Sequence, residues 1–187
     1  LAEGGRRTAL VEGDLRRPTF SRILGTRRTP GLSEVLLGDA PLDEAFQEGL
    51  VPHLTVLTAG RVPPNPMDLL SRPAIERVMQ ALSGRFDVVI VDSPPVLPVS
   101  DALVLSALVD GVVLVYKVGT TSRGALKRAT SLLAQAKATV FGVVLNDVRT
   151  QLTADYDFLK YYRYYGSSSR PAGVVDRGRE LLRKWQR

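Results

Sequence analysis

Phe86-Asp-Val-Val-Ile-Val-Asp-Ser-Pro-Pro95 decides the fold. Its apolar centre, Val88 to Val91, is continuous enough for a strand buried on both faces, and Asp92 and two prolines stop it. Similar runs lie on either side: Thr8 to Val11, Leu54 to Leu57, Val112 to Tyr116 and Val140 to Leu145. Helical spacing appears between them. Gly31 to Leu37 halts at Gly38, and Met67 to Leu82 carries apolar residues at 67, 70, 74, 75, 78, 79 and 82. Ser100-Asp101 reads as the cap of a helix reaching about Leu108, and Ser122 to Ala136 as a further helix. Strands alternating with helices predict an α/β domain around a mainly parallel sheet.

Two of these strands end in carboxylates, as Val11-Glu12-Gly13-Asp14 and Val91-Asp92-Ser93. Ligands of open α/β sheets bind beyond the carboxyl ends of the strands. An Asp directly after an apolar strand can hold Mg²⁺ there, usually through water. If the first strand continued, Glu12 and Asp14 would face the same side. Such a pair can serve a metal and accept a proton from a hydroxyl. Acidic residues also end strands and cap helices, so the pattern alone leaves both roles open. A G-x-x-x-x-G-K-[ST] phosphate loop is absent, because Gly4-Gly5 runs into Arg6-Arg7-Thr8.

The 187 residues fit one domain, and 44% hydrophobic with 24% charged residues argues against wholesale disorder. No run approaches 18 uninterrupted apolar residues, and the absence of cysteine rules out disulfides and thiolate chemistry. The start, Leu1-Ala-Glu-Gly-Gly, has neither a signal-peptide core nor an initiator Met, so the chain is expected to begin inside a longer protein. Basic and acidic residues balance through residue 159. The tail from Lys160 carries eight basic and two acidic residues, and so holds the entire net charge of +6. It can meet an anionic partner or stay solvated, but nothing in it matches a specific nucleic-acid module. His53, the only histidine, has no ligand neighbours at zinc spacing, and Ser93 has no His base nearby. Arg16 and Arg17 can reach phosphate or the carboxylates of an adjacent subunit.

Leu10-Val-Glu-Gly-Asp-Leu-Arg-Arg-Pro18 resembles the second acidic motif, Walker A-prime, of the bacterial tyrosine kinases that regulate capsule and exopolysaccharide export. Gly31-Leu-Ser-Glu-Val-Leu36, Ala59-Gly-Arg-Val-Pro-Pro-Asn-Pro66, Phe86 to Pro95, Pro98-Val-Ser-Asp-Ala102 and Gly142-Val-Val-Leu-Asn146 follow at that family's spacing. The resemblance implies a three-layer P-loop NTPase-like domain, related to septum-site and partition ATPases, and ATP with Mg²⁺ as cofactors. It implies that Asp92 is the Walker B aspartate. Asp14 becomes the A-prime carboxylate near metal and hydroxyl, and Glu12 stands where the family usually has Asp. Asn146 becomes a residue of the adenine pocket. Tyr156, Tyr161, Tyr162, Tyr164 and Tyr165 become a cluster that neighbouring subunits phosphorylate in a homo-oligomer. The implied partner is a membrane-spanning polysaccharide co-polymerase module, fused or separate, at the cytoplasmic face of the membrane.

The family's P-loop strand and loop would lie upstream of Arg6. The expected organisation is therefore residues 1–150 as a partial kinase domain, incomplete at its N-terminus, and 151–187 as a flexible tyrosine-rich basic tail. Its sheet should show a gap or a rearranged neighbour, and the chain alone should bind ATP weakly. The competing readings are a partition or septum-positioning ATPase and a catalytically dead regulatory domain.

Overall fold

The computed structural model describes residues 1–71 and 73–148. The tyrosine cluster and the basic tail lie outside the described residues.

The centre of the fold is β1 (Thr8–Glu12), whose Ala9 and Val11 are buried. It pairs in parallel with β3 (Leu54–Leu57) on one side and with β4 (Val88–Asp92) on the other. A short β2 (Phe46–Glu48) closes the β3 edge in antiparallel fashion, giving the order β2-β3-β1-β4. A second, parallel sheet joins β5 (Val112–Lys117) to β6 (Val140–Asn146).

Between the strands run α1 (Phe20–Leu24), α2 (Leu32–Leu37), α3 (Leu42–Ala45), α4 (Pro66–Leu70), α5 (Pro73–Arg85), α6 (Asp101–Ser106) and α7 (Arg123–Gln135). The main core gathers Val11, Leu15 and Leu57 with Leu32, Leu36, Leu69 and Leu70. From α5 it takes Ile75, Val78 and Leu82, a single stripe at helical spacing. Each such side chain contributes about 1.5–3 kcal/mol by leaving water. Phe46 and Phe86 meet edge to face at 5.7 Å, fastening the β2 edge to the start of the β4 segment.

Two expectations need correction. The helix read as Met67 to Leu82 is two helices, α4 and α5. Pro73 has no N–H to give, and its ring would strike the carbonyl four residues back, so it opens a new helix instead of continuing the old one. The sheet itself has the expected gap, with β4 at the end of one part and β5 in the other. The strands read as buried on both faces are also half open: Ile90 is 43% exposed, Val113 53% and Val115 67%. Among the described residues β4 has one strand neighbour and β5 has one, so their apolar side chains lack the cover that a central strand receives. Leu114, Ala129 and Leu133 are buried apart from the main core.

The Arg- and Pro-rich segment after β1 contains α1, between Thr19 and a left-handed Gly25. No described helix is long and apolar enough to cross a membrane.

Candidate active site at the ends of β1 and β4

The two acidic strand ends meet. Glu12 is in register with Asp92, and the Gly13 N–H donates to the Asp92 carbonyl at 2.7 Å. A Cβ on Gly13 would stand 2.8 Å from that carbonyl oxygen and 2.9 Å from Leu105 Cδ1. Glycine is therefore what allows the chain to leave β1 so close to β4 and α6.

β1 stops at Glu12, so the two-residue alternation expected of a continuing strand does not reach Asp14. Glu12 points inward and is 1% exposed. Its Oε1 accepts the backbone N–H groups of Thr19 and Phe20, the latter at 2.7 Å, and its Oε2 accepts that of Ala59 at 2.9 Å. This carboxylate ties the start of α1 and the loop after β3 to the end of β1.

Asp14 is half-buried. Its Oδ1 accepts the backbone N–H groups of Arg16 and Arg17, both at 3.0 Å, a turn closed by the side chain of its first residue. Its Oδ2 takes no hydrogen bond among the described residues. Asp92 opens to solvent at the end of β4. Its carboxyl lies above the ordinary carboxylate range, first because its surroundings remove some solvent, then because Asp14 and Glu12 add negative charge. Two carboxylates that repel across a strand end favour a cation between them. Among the described residues no three Asp, Glu or His side chains stand together as a ready metal cage. The pair fits Mg²⁺, which keeps several waters and is usually held by one or two carboxylates together with phosphate oxygens.

The contact that sequence reasoning missed is at Asp101. Ser100 does not cap α6 through its side chain; its hydroxyl faces the Met67 sulfur at 3.5 Å. Asp101 is fully buried and receives Arg16 as a fork, Nε to Oδ2 at 2.7 Å and a terminal nitrogen to Oδ1 at 2.9 Å. Arg16 thus meets a carboxylate of its own chain. Helical spacing carried a signal for the burial of Asp101, though not for its partner: Asp101, Ala102, Leu105 and Ser106 share one buried face of α6.

A second carboxylate organises the loop before α4. Glu34 reaches back to the Gly31 N–H at 2.8 Å, half of a capping box, and receives the Arg61 N–H and Nε at 3.1 Å each. Burial raises the Glu34 pKa, but the donors from Gly31 and Arg61 outweigh it and hold the carboxyl below its usual range. Gly60, at φ +83°, has no room for a Cβ against the Glu34 carboxylate. Asn146 ends β6, and its Oδ1 accepts the Asp147 N–H at 2.8 Å in a turn where Asp147 has φ 55°. His53 is an exposed turn residue at φ 64°, ahead of β3.

No protein-family model matches the chain. It is 34% identical over 167 residues to the tyrosine-protein kinase YwqD of Bacillus subtilis, covering 89% of this chain and 68% of that one. It is 32% identical over 180 residues to a putative tyrosine-protein kinase, EpsB, of Ralstonia nicotianae, where it spans 94% of this chain but 24% of the relative. The kinase domain of the Escherichia coli tyrosine kinase ETK superposes with a TM-score of 0.78 at 28% identity, over 92% of this chain and 62% of that domain. The septum site-determining protein MinD of Pyrococcus horikoshii, solved with Mg-ADP, superposes with a TM-score of 0.66 at 24% identity, over 81% of this chain and 62% of MinD, and shares the fold. The chain therefore spans less than two thirds of these solved relatives, and its fold is that of the P-loop ATPases.

Proposed function

The chain belongs to the family of bacterial tyrosine-protein kinases, and on that premise we propose that it is part of an ATP-dependent protein-tyrosine autokinase governing capsule or exopolysaccharide production. The observation that carries this reading is the meeting of Asp14 and Asp92 at the carboxyl ends of adjacent parallel strands. Catalysis of phosphoryl transfer is chiefly positioning and charge stabilisation. When bound, Mg·ATP supplies the γ-phosphoryl group and the positive charge that offsets the two aspartates. Asp92 and Asp14 hold that cation, and the open Oδ2 of Asp14 is suited to accept the proton of an incoming tyrosine hydroxyl. Glu12 contributes fixed negative charge and anchors the loops. Asn146 lines the adenine side from the end of β6. The acceptors are Tyr156, Tyr161, Tyr162, Tyr164 and Tyr165, supplied by a neighbouring copy in a homo-oligomer.

The division of the sheet supports a further part of this reading. β4 and β5 each offer an edge with no partner among the described residues, flanked by exposed Ile90, Val113 and Val115. A parallel strand entering between them, carrying a Gly-rich loop at its carboxyl end, would cover these side chains and place a phosphate cradle beside Asp92. On this account the chain by itself binds ATP weakly. The assembled kinase works at the inner face of the membrane with a membrane-spanning polysaccharide co-polymerase module, fused or separate. Mass spectrometry of the kinase after incubation with ATP and Mg²⁺ tests the proposal. Phosphate on the clustered tyrosines, lost in Asp92→Asn, is expected; ATP hydrolysis with no phosphotyrosine would favour a positioning ATPase of the same fold.

A further inference from the structure

Arg16 links the turn that holds Asp14 to the first residue of α6. Its backbone N–H holds Asp14 Oδ1 at 3.0 Å, while its guanidinium grips Asp101 at the start of α6. The loop from Asp92 runs directly into that helix, and Leu105 of α6 lies against Gly13. The fork therefore joins the loop that carries Asp14 to the element that continues from Asp92. Among the described residues Arg16 is the only group that donates to the Asp101 carboxylate.

An ion pair between a buried carboxylate, Asp101, and a guanidinium that stays partly in solvent, Arg16, is weak evidence for a role in stability, since apolar residues or water often serve as well. What apolar residues lack is direction. A planar fork on a carboxylate fixes both partners in one orientation, which a lysine does not reproduce. We propose that Arg16 and Asp101 are positioning residues that set the separation and aim of Asp14 and Asp92 for a divalent cation. This rests on the metal-binding reading of those two aspartates given above.

The test uses the chain extended upstream by its own coding sequence, so that any strand and phosphate loop encoded there are present, and Mn²⁺ as the probe, with affinity read from water-proton relaxation and folding from a thermal melt of the same samples. Arg16→Lys and Asp101→Asn are expected to stay folded and bind Mn²⁺ on the order of tenfold more weakly, the range seen when outer-shell partners of a metal ligand are changed. The paired Arg16→Met, Asp101→Leu variant keeps the site filled without charge. It should melt at least as high as the unaltered chain and still lose Mn²⁺ affinity, a separation that a purely structural role would not produce. Asp92→Asn reports on the underlying reading and should abolish binding. If Asp92→Asn abolishes binding while the Arg16 and Asp101 variants stay within about twofold of the unaltered chain, the positioning role is overturned and the metal site stands. If the unaltered chain gives no relaxation enhancement, or Asp14→Asn and Asp92→Asn leave it unchanged, the metal-site reading falls and the positioning role with it.

Discussion

Replacing Glu12 by Gln changes almost no volume, yet it should destabilise the chain by about 3–5 kcal/mol. The carboxylate is buried and accepts three backbone N–H groups on two oxygens: Thr19 and Phe20 on one, Ala59 on the other. A glutamine offers a single oxygen. Turned toward Thr19 and Phe20, it leaves its amide hydrogens facing the buried Ala59 N–H, a donor against a donor. An orphaned buried donor costs about 1–3 kcal/mol, and the two remaining bonds lose their charge assistance at about 1 kcal/mol each. Relief of repulsion at solvent-open Asp92 offsets little of this, as for other exposed charges. With a urea slope of about 2 kcal/mol per molar, the unfolding midpoint should fall by roughly 1.5–2.5 M. Circular dichroism at increasing urea measures it. A midpoint within about 0.3 M of the unaltered chain would refute the anchoring role.

Three other outcomes are expected. Gly60→Ala combines a left-handed backbone with a collision against the Glu34 carboxylate, and should cost several kcal/mol, roughly 2–4; unchanged thermal unfolding would contradict the packing described. Glu34, whose folded pKa is depressed, contributes stability that is fully present above its ordinary value of 4.5 and lost as pH falls through the folded value. Urea midpoints of the unaltered chain should therefore drop more steeply below that pH than those of Glu34→Gln, and parallel curves would argue against it. Asp92 has the opposite sign, since its raised pKa makes the ionised form unfavourable in the folded state. Its contribution is largest below the ordinary value of 3.8 and lost as pH rises through the folded value, so Asp92→Asn should melt higher than the unaltered chain at pH 7 without divalent cations. A lower melting temperature there would rule out the electrostatic account.

Much of the fold was legible because strands and short helices announce themselves through period and punctuation. Leu54 to Leu57 and the helix ending at Gly38 lie where alternation and a left-handed glycine put them. Boundaries failed where one residue overrides a pattern, as Pro73 does within an otherwise continuous amphipathic stripe. Burial failed for a different reason: Ile90, Val113 and Val115 have the composition of central strands, but composition does not say whether a neighbour is present on each edge. At the site, Asp14 and Asp92 could be read from their places after apolar runs. The inward turn of Glu12 and the Arg16–Asp101 fork could not, because both depend on contacts between segments distant in sequence, which local period does not encode.

We propose that Asp14 and Asp92 form a nucleotide-metal site that is complete only with a further strand and phosphate loop between β4 and β5. Nucleotide titration by calorimetry tests it most directly, comparing the 187-residue chain with one extended upstream by its own coding sequence. Mg·ATP is expected to bind the extended chain at least a hundredfold more tightly, a difference of about 2.7 kcal/mol, and Asp92→Asn to weaken it. Tight Mg·ATP binding by the 187-residue chain alone, with cooperative unfolding, would contradict it.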